Sequence, residues 1–196
     1  TGFDTGEAFL QLFVDELDNV GFPRSGGSLR IRCTAGLEDL GSGNDYEQVA
    51  AEGSYAYTLG RYTWLLSGSF ATTRDSDSPY QSMFRLGGFS RLSGLQHREL
   101  VGQHAGLLSG MFYRRIGNFK WVSFYAGLSL EYGNVFQERA DITFDRGIAA
   151  GSLFLGLDTL IGPIYLAYGR AEGGRGNFYF FLGTSFHKRR GDFRGR

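Results

Sequence analysis

The chain has 196 residues, with 31 Gly, 18 Phe and 11 Tyr against 3 Pro, 2 Met, 2 Trp and 1 Cys. Glycine at about twice its ordinary frequency, together with an excess of aromatics, excludes an average helical or α/β domain, and the length fits a single domain. Twenty Lys+Arg balance twenty Asp+Glu, which excludes the broad basic face of a nucleic-acid binder; no run of about 18 apolar residues marks a membrane-spanning helix, whereas a closed barrel crosses a bilayer on strands of about 9–11 residues that alternate lipid-facing and lumen-facing side chains.

Period-two alternation recurs along the chain and predicts strands. Leu10, Leu12 and Val14 alternate with Gln11, Phe13 and Asp15. Leu29, Ile31, Cys33 and Ala35 then alternate with Arg30, Arg32 and Thr34. Val49 to Tyr57 and Tyr62 to Phe70 repeat the pattern, which returns less cleanly at 102–113 with Leu107, Met111 and Tyr113 as one face. It is clearest at Val122, Phe124, Ala126, Leu128, Leu130 and Tyr132, set against Ser123, Tyr125, Gly127, Ser129 and Glu131. Leu153 to Leu157, Ile164 to Tyr168 and Phe178 to Phe186 complete nine predicted strands. Cys33 reads as a small apolar strand residue. The opening Thr1-Gly2-Phe3-Asp4 carries no signal-peptide pattern and reads as a fragment or a mature portion.

Tight links are predicted at 59–61, 115–118 and 161–163, and longer polar links near 38–46, 73–99, 134–147 and 170–177. Short turns alternating with long loops match an outer-membrane barrel, with short turns in the periplasm and long loops outside. Tyr57, Tyr62, Tyr113, Trp121, Tyr132 and Phe136, at strand ends, are expected in the interfacial girdles. A water-soluble barrel must fill its interior with apolar side chains. The second face here holds Gln, Glu, Arg, Ser and Thr, which suits a wet lumen with the apolar face turned to lipid.

Four stretches, in order, carry a family resemblance. Asp15-Glu-Leu-Asp18-Asn19-Val-Gly-Phe22-Pro23-Arg24-Ser-Gly26 resembles the D-x-x-D-N-x-x-F-P-x-x-G turn of the bacterial surface-antigen barrels, the superfamily of outer-membrane assembly factors and two-partner secretion transporters. Leu86-Gly87-Gly88-Phe89-Ser90-Arg91-Leu92-Ser93-Gly94 resembles its lumenal loop element. Glu131 to Phe136 is similar to its D-x-G-x-V-W strand end. Leu160 to Arg170, followed by a strand with Phe178, Phe180, Leu182 and Phe186, is similar to its last hairpin.

The resemblance implies a transmembrane antiparallel β-barrel over residues 1–186, of about 10–12 strands since known single-chain bacterial barrels close on even counts, with a basic tail at 187–196. A tenth strand is expected from 75–90, from upstream of Thr1, or from a second copy sharing its edges. The L-G-G-F-x-x-L-S-G form of the loop is most similar to the barrels of patatin-like phospholipase autotransporters, the class Vd secretion proteins. That likeness implies an anchor and translocator for an N-terminal lipase passenger; the alternatives are an assembly or two-partner transporter barrel and a stand-alone outer-membrane hydrolase. The superfamily's loop arginine falls at Ser93, so Arg91 is expected to substitute by bracing the loop against Glu131.

No catalytic residue is expected in the chain itself. It has no G-x-S-x-G elbow, and Ser90, Ser93 and His97 lack an identifiable orienting carboxylate. No Cys/His spacing matches a metal site, and neither metal nor cofactor is expected. Expected partners are outer-membrane lipid and lipopolysaccharide, the barrel assembly machinery during insertion and the chain's own passenger, with a second copy in a homodimer as an alternative source of edge pairing; nucleic acid is not among them.

Overall fold

In the computed structural model, residues 6–38, 45–74 and 77–183 are described. The strands are β1 (Glu7–Asp15), β2 (Gly26–Gly36), β3 (Tyr46–Leu59), β4 (Tyr62–Arg74), β5 (Phe84–Leu86), β6 (Leu100–Gly102), β7 (His104–Phe119), β8 (Val122–Phe136), β9 (Ile148–Thr159), β10 (Gly162–Ala171) and β11 (Gly176–Leu182). Nine of them form one sheet in the order β1-β2-β3-β4-β7-β8-β9-β10-β11, and β5 pairs only with β6. The nine predicted strands are thus the nine of the main sheet. The 75–90 segment does contribute a strand, but to a separate ribbon, because it leaves the wall and turns into the interior. Phe186 and the tail at 187–196 lie outside the described residues.

All neighbouring pairs in the sheet are antiparallel. Opposed residues share a face of the pleat, so register fixes what each side holds. Leu12 pairs with Ile31, Tyr57 with Trp64, Phe112 with Leu128 and Leu155 with Leu166. These belong to the outward face, where Leu12, Tyr57, Trp64, Leu66, Leu128, Leu130, Leu153, Leu155, Phe178 and Phe180 are exposed. A water-soluble protein rarely shows so large a contiguous apolar surface. Meeting lipid instead, this face carries no hydration penalty, and between neighbouring strands the backbone groups are paired strand to strand, as hydrocarbon requires.

Turns at 60–61, 120–121 and 160–161 share one rim with the 16–25 connection, and the remaining connections share the other. The tight link expected at 115–118 is a β-bulge instead, with the register shifting between Arg115 and Gly117 and the turn falling at Lys120-Trp121. The link near 170–177 is only a four-residue turn, closed by the Ala171 N–H on the Arg175 carbonyl. Because nine is odd, β1 and β11 run in the same direction, from the long-loop rim to the tight-turn rim.

The inward face departs from a uniformly wet lumen. Tyr113, expected in a girdle, is 2% exposed and points inward with Leu107 and Met111, which explains why alternation is less clean there: both faces of β7 are apolar. Tyr125, Phe154, Tyr165 and Tyr179 also point inward and are buried. Toward β2–β4 the same face is polar, with Arg30 Nη1 2.7 Å from Glu52 Oε1 and Ser28 bonded to Ser54 at 2.8 Å.

The lipid assignment has a direct consequence. Leu66, mid-strand on β4, is 59% exposed, and in a water-soluble protein substitution there would change stability by no more than about 0.5 kcal/mol. Leu66→Arg is expected to destabilise the vesicle-inserted protein by about 2–4 kcal/mol, as for a cation near the bilayer midplane, read from urea unfolding in lipid vesicles.

Candidate functional site: the occupied lumen

Two segments enter the interior from opposite rims and meet. The first is the Asp18–Gly26 turn. Asp18 Oδ1 accepts from the backbone N–H of Arg24 at 2.7 Å and of Ser25 at 3.1 Å. Asn19 Oδ1 accepts from the N–H of Gly21 at 2.7 Å and of Phe22 at 2.8 Å. The Asn19 bonds are of the Asx type, and those of Asp18 close the whole turn across six and seven residues, so short polar side chains replace a regular ladder. Asn19 Nδ2 also reaches Asp158 Oδ2 on β9 at 3.2 Å. Gly26 ends the turn at φ +96°, and any Cβ there would strike the Glu16 carbonyl oxygen. Pro23 is buried, and its carbonyl accepts the Tyr113 hydroxyl, while the Gly21 carbonyl accepts that of Tyr165.

Held this way, Phe22 projects into the lumen. Its ring stacks on Tyr125 at 4.2 Å between centroids with a 6° interplanar angle, and lies 4.7 Å from Tyr165. Gly156 on β9 makes the room, since a Cβ there would collide with the Phe22 ring.

The second segment is the connection between β4 and β7. Its base is fastened by Gln103, whose Oε1 accepts from Ser78 Oγ at 2.8 Å and whose Nε2 donates to the Ser78 carbonyl at 3.0 Å. Gln48 Nε2 on β3 donates to the Ser82 carbonyl at 3.0 Å, and Ser82 Oγ donates to Glu7 Oε1 on β1 at 3.0 Å. The β5–β6 ribbon then carries the tip inward. Leu86, Leu92 and Leu95 are buried against Ala71, Phe84, Ala105, Leu107 and Ala171. Gly87 and Gly88 bend the chain at φ +124° and +112°, values that L side chains rarely adopt.

The tip docks on β8, β10 and β11. Ser93 is fully buried; its N–H and hydroxyl donate to the two carboxylate oxygens of Glu131, the second at 2.9 Å. The Ser129 hydroxyl also donates to Glu131. The Gly94 N–H donates to the Tyr179 hydroxyl at 2.6 Å, that hydroxyl donates to the Leu95 carbonyl at 2.7 Å, and Asn177 Nδ2 donates to the Gly94 carbonyl at 2.6 Å. A Cβ at Gly94 would collide with the backbone of Arg170 and Ala171, so only glycine allows this approach. Phe89 enters the aromatic cluster, 5.5 Å from Phe154 and 5.7 Å from Tyr165. Phe22 and Phe89 thus share Tyr165 as a neighbour, and the two insertions meet in one aromatic cluster.

Glu131 therefore receives the loop through the backbone and hydroxyl of Ser93. Arg91 is half-buried and borders a cavity of about 90 Å3, lined also by Arg30, Glu52, Ser67 and Ser109. A buried carboxylate that accepts three donors is well satisfied, and removing it would strand the two from Ser93, whereas the Ser129 hydroxyl keeps Ser152 Oγ as a partner at 2.6 Å. Ser90 and Ser93 are both buried, whereas His97 is exposed. Phe178, Phe180 and Leu182 all point outward on β11. Among the described residues, no group of three or more His, Cys, Asp or Glu side chains is arranged to hold a metal.

An antiparallel wall with an apolar exterior and a loop packed against its inner face is the architecture of a β-barrel with a lumenal loop. The chain belongs to the Omp85 superfamily, whose domain it matches over residues 3–186, and it is accordingly an outer-membrane β-barrel protein. It is similar in fold to BamA from Haemophilus ducreyi lacking POTRA domains 1–3, with a TM-score of 0.75 at 16% identity, over 91% of this chain and 42% of that one. It therefore spans about two-fifths of the length of that structure. Among curated proteins, none matches the chain significantly.

Proposed function

We propose that this barrel anchors and exports an N-terminal passenger of the patatin-like lipase type, with the 77–103 loop as a resident plug. The observation that carries the plug reading is the Ser93–Glu131 contact: the position where the superfamily's loop carries arginine holds serine, and the buried carboxylate opposite is satisfied by that serine. This form of the loop is the one that resembles the class Vd barrels. Passenger export rests on the resemblance, and the test is the gene itself. A G-x-S-x-G domain encoded upstream, accessible to protease on intact cells, is the expected result. Several periplasmic repeats upstream, with a substrate on another chain, would favour an assembly or two-partner transporter, a reading supported by the likeness to the BamA barrel.

Closure enters the same proposal. The outer edges of β1 and β11 need hydrogen-bonding partners in hydrocarbon. Since both strands run the same way, an all-antiparallel closure requires an odd number of strands between them. Two copies related by rotation about the membrane normal would pair these edges in parallel, so we favour added strands of the same chain over a homodimer. The loop is suited to such an arrangement, because it touches β1 through Glu7 and β11 through Asn177 and Tyr179 and so bridges the two edges across the lumen. A monomeric mass for the full-length inserted protein is expected; an obligate dimer would overturn this arrangement.

A further inference from the structure

One cation stands on the outward face among rings. Arg114 lies on β7 in register with Tyr62 of β4 and Ala126 of β8, the same face as Trp64 and Phe112. Its guanidinium carbon is 5.3 Å from the Tyr62 ring centroid, and Nη1 reaches the Tyr62 hydroxyl at 3.4 Å. Tyr62 stacks on Phe112 at 5.4 Å, and Trp64 lies 4.5 Å from Phe112. Arg114 Nε is buried and has no hydrogen-bond partner. A lipid-facing arginine is tolerated near the bilayer interface and strongly disfavoured at the midplane. Tyr62 is the first residue of β4 after the tight turn, and Tyr and Trp concentrate at this boundary, so the cluster sits at headgroup level on the tight-turn side. The Tyr62 ring covers the guanidinium from one side and takes one Nη1 donor, which leaves the remaining terminal N–H groups to meet a phosphate oxygen in a charge-assisted hydrogen bond.

We propose that Arg114, Tyr62, Phe112 and Trp64 form a binding site for the phosphate of a phospholipid headgroup in the periplasmic leaflet. The inference rests on the outer-membrane placement of the tight-turn rim. The test is native mass spectrometry of the full chain folded in maltoside detergent with added phosphatidylglycerol. Wild type should retain one lipid at least about fivefold better than Arg114→Gln, with Arg114→Lys between them, a ratio of the size expected for one charge-assisted contact. Equal retention by wild type and Arg114→Gln overturns the site. Displacement of the lipid by millimolar inorganic phosphate overturns the lipid as its ligand. Heat-shifted gel migration reports separately whether each protein has folded and inserted. A second arm needs no change at Arg114: in Trp121→Phe protein, Trp64 fluorescence should be quenched more by headgroup-labelled than by mid-chain-labelled phospholipid. The opposite order would place the cluster inside the hydrocarbon and overturn the proposal.

Discussion

Replacing Glu131 by alanine is expected to release the loop from the wall. The carboxylate accepts the N–H and hydroxyl of Ser93 and the hydroxyl of Ser129, all three residues being buried. Each buried donor left unsatisfied costs about 1–3 kcal/mol, and water entering the vacated space recovers part of that. A net loss of about 2–5 kcal/mol is expected on that basis, seen as a lower urea midpoint and as loss of the heat-resistant band on a gel. Glu131→Gln keeps one acceptor oxygen and should fall between alanine and wild type. Ser93→Ala removes the hydroxyl but leaves the backbone donor, and should be milder than Glu131→Ala. If Glu131→Ala migrates and unfolds like wild type, the carboxylate does not hold the loop.

Phe22→Ala should destabilise as strongly by a different route. The ring is 2% exposed and contacts Tyr113, Tyr125 and Tyr165. Removing a buried Phe side chain costs about 3–5 kcal/mol, part of it from aromatic pairs worth about 0.5–1.5 kcal/mol beyond their buried area. The loss is local to the tight-turn rim, so Phe22→Ala should leave the Ser93–Glu131 contact in place. Since the two sites share Tyr165 only indirectly, through Phe22 and Phe89, the effects of Phe22→Ala and Glu131→Ala should be nearly additive. Urea unfolding of the two single variants and the double variant in the same vesicles measures this. A Phe22→Ala variant within 1 kcal/mol of wild type, roughly the cost of a single methylene, would show that the turn is not seated in the lumen.

The wall was legible in the sequence because lipid-facing strands alternate: Leu12, Trp64, Leu130 and Phe180 all fall on the outward face that their parity gives them. The interior was less legible. Tyr125 sits among serines and glycines on the inward parity, which marks it as lumenal, yet alternation alone does not say that it stacks on a phenylalanine more than a hundred residues earlier. Tyr113 misleads for the opposite reason. Its strand is apolar on both faces, and a tyrosine near a strand end fits an interfacial belt as well as a core. The turn at Lys120-Trp121 was displaced from 115–118 because Gly117 invites a turn, whereas the chain spends it on a bulge. At the loop, the family motif identified the segment and Glu131 as its partner. Which loop residue makes the contact depends on how Gly87 and Gly88 bend the chain, and that geometry brings Ser93 to the carboxylate.

The central claim is that residues 86–95 are docked inside the barrel. Hydrogen exchange in lipid nanodiscs measures it at the Ser93 and Gly94 amides, which donate to Glu131 and Tyr179. Both should be protected to the same degree as the amides of β8, and both should lose that protection in Glu131→Ala. Exchange as fast in wild type as in the surface turn at 172–175 would contradict the account.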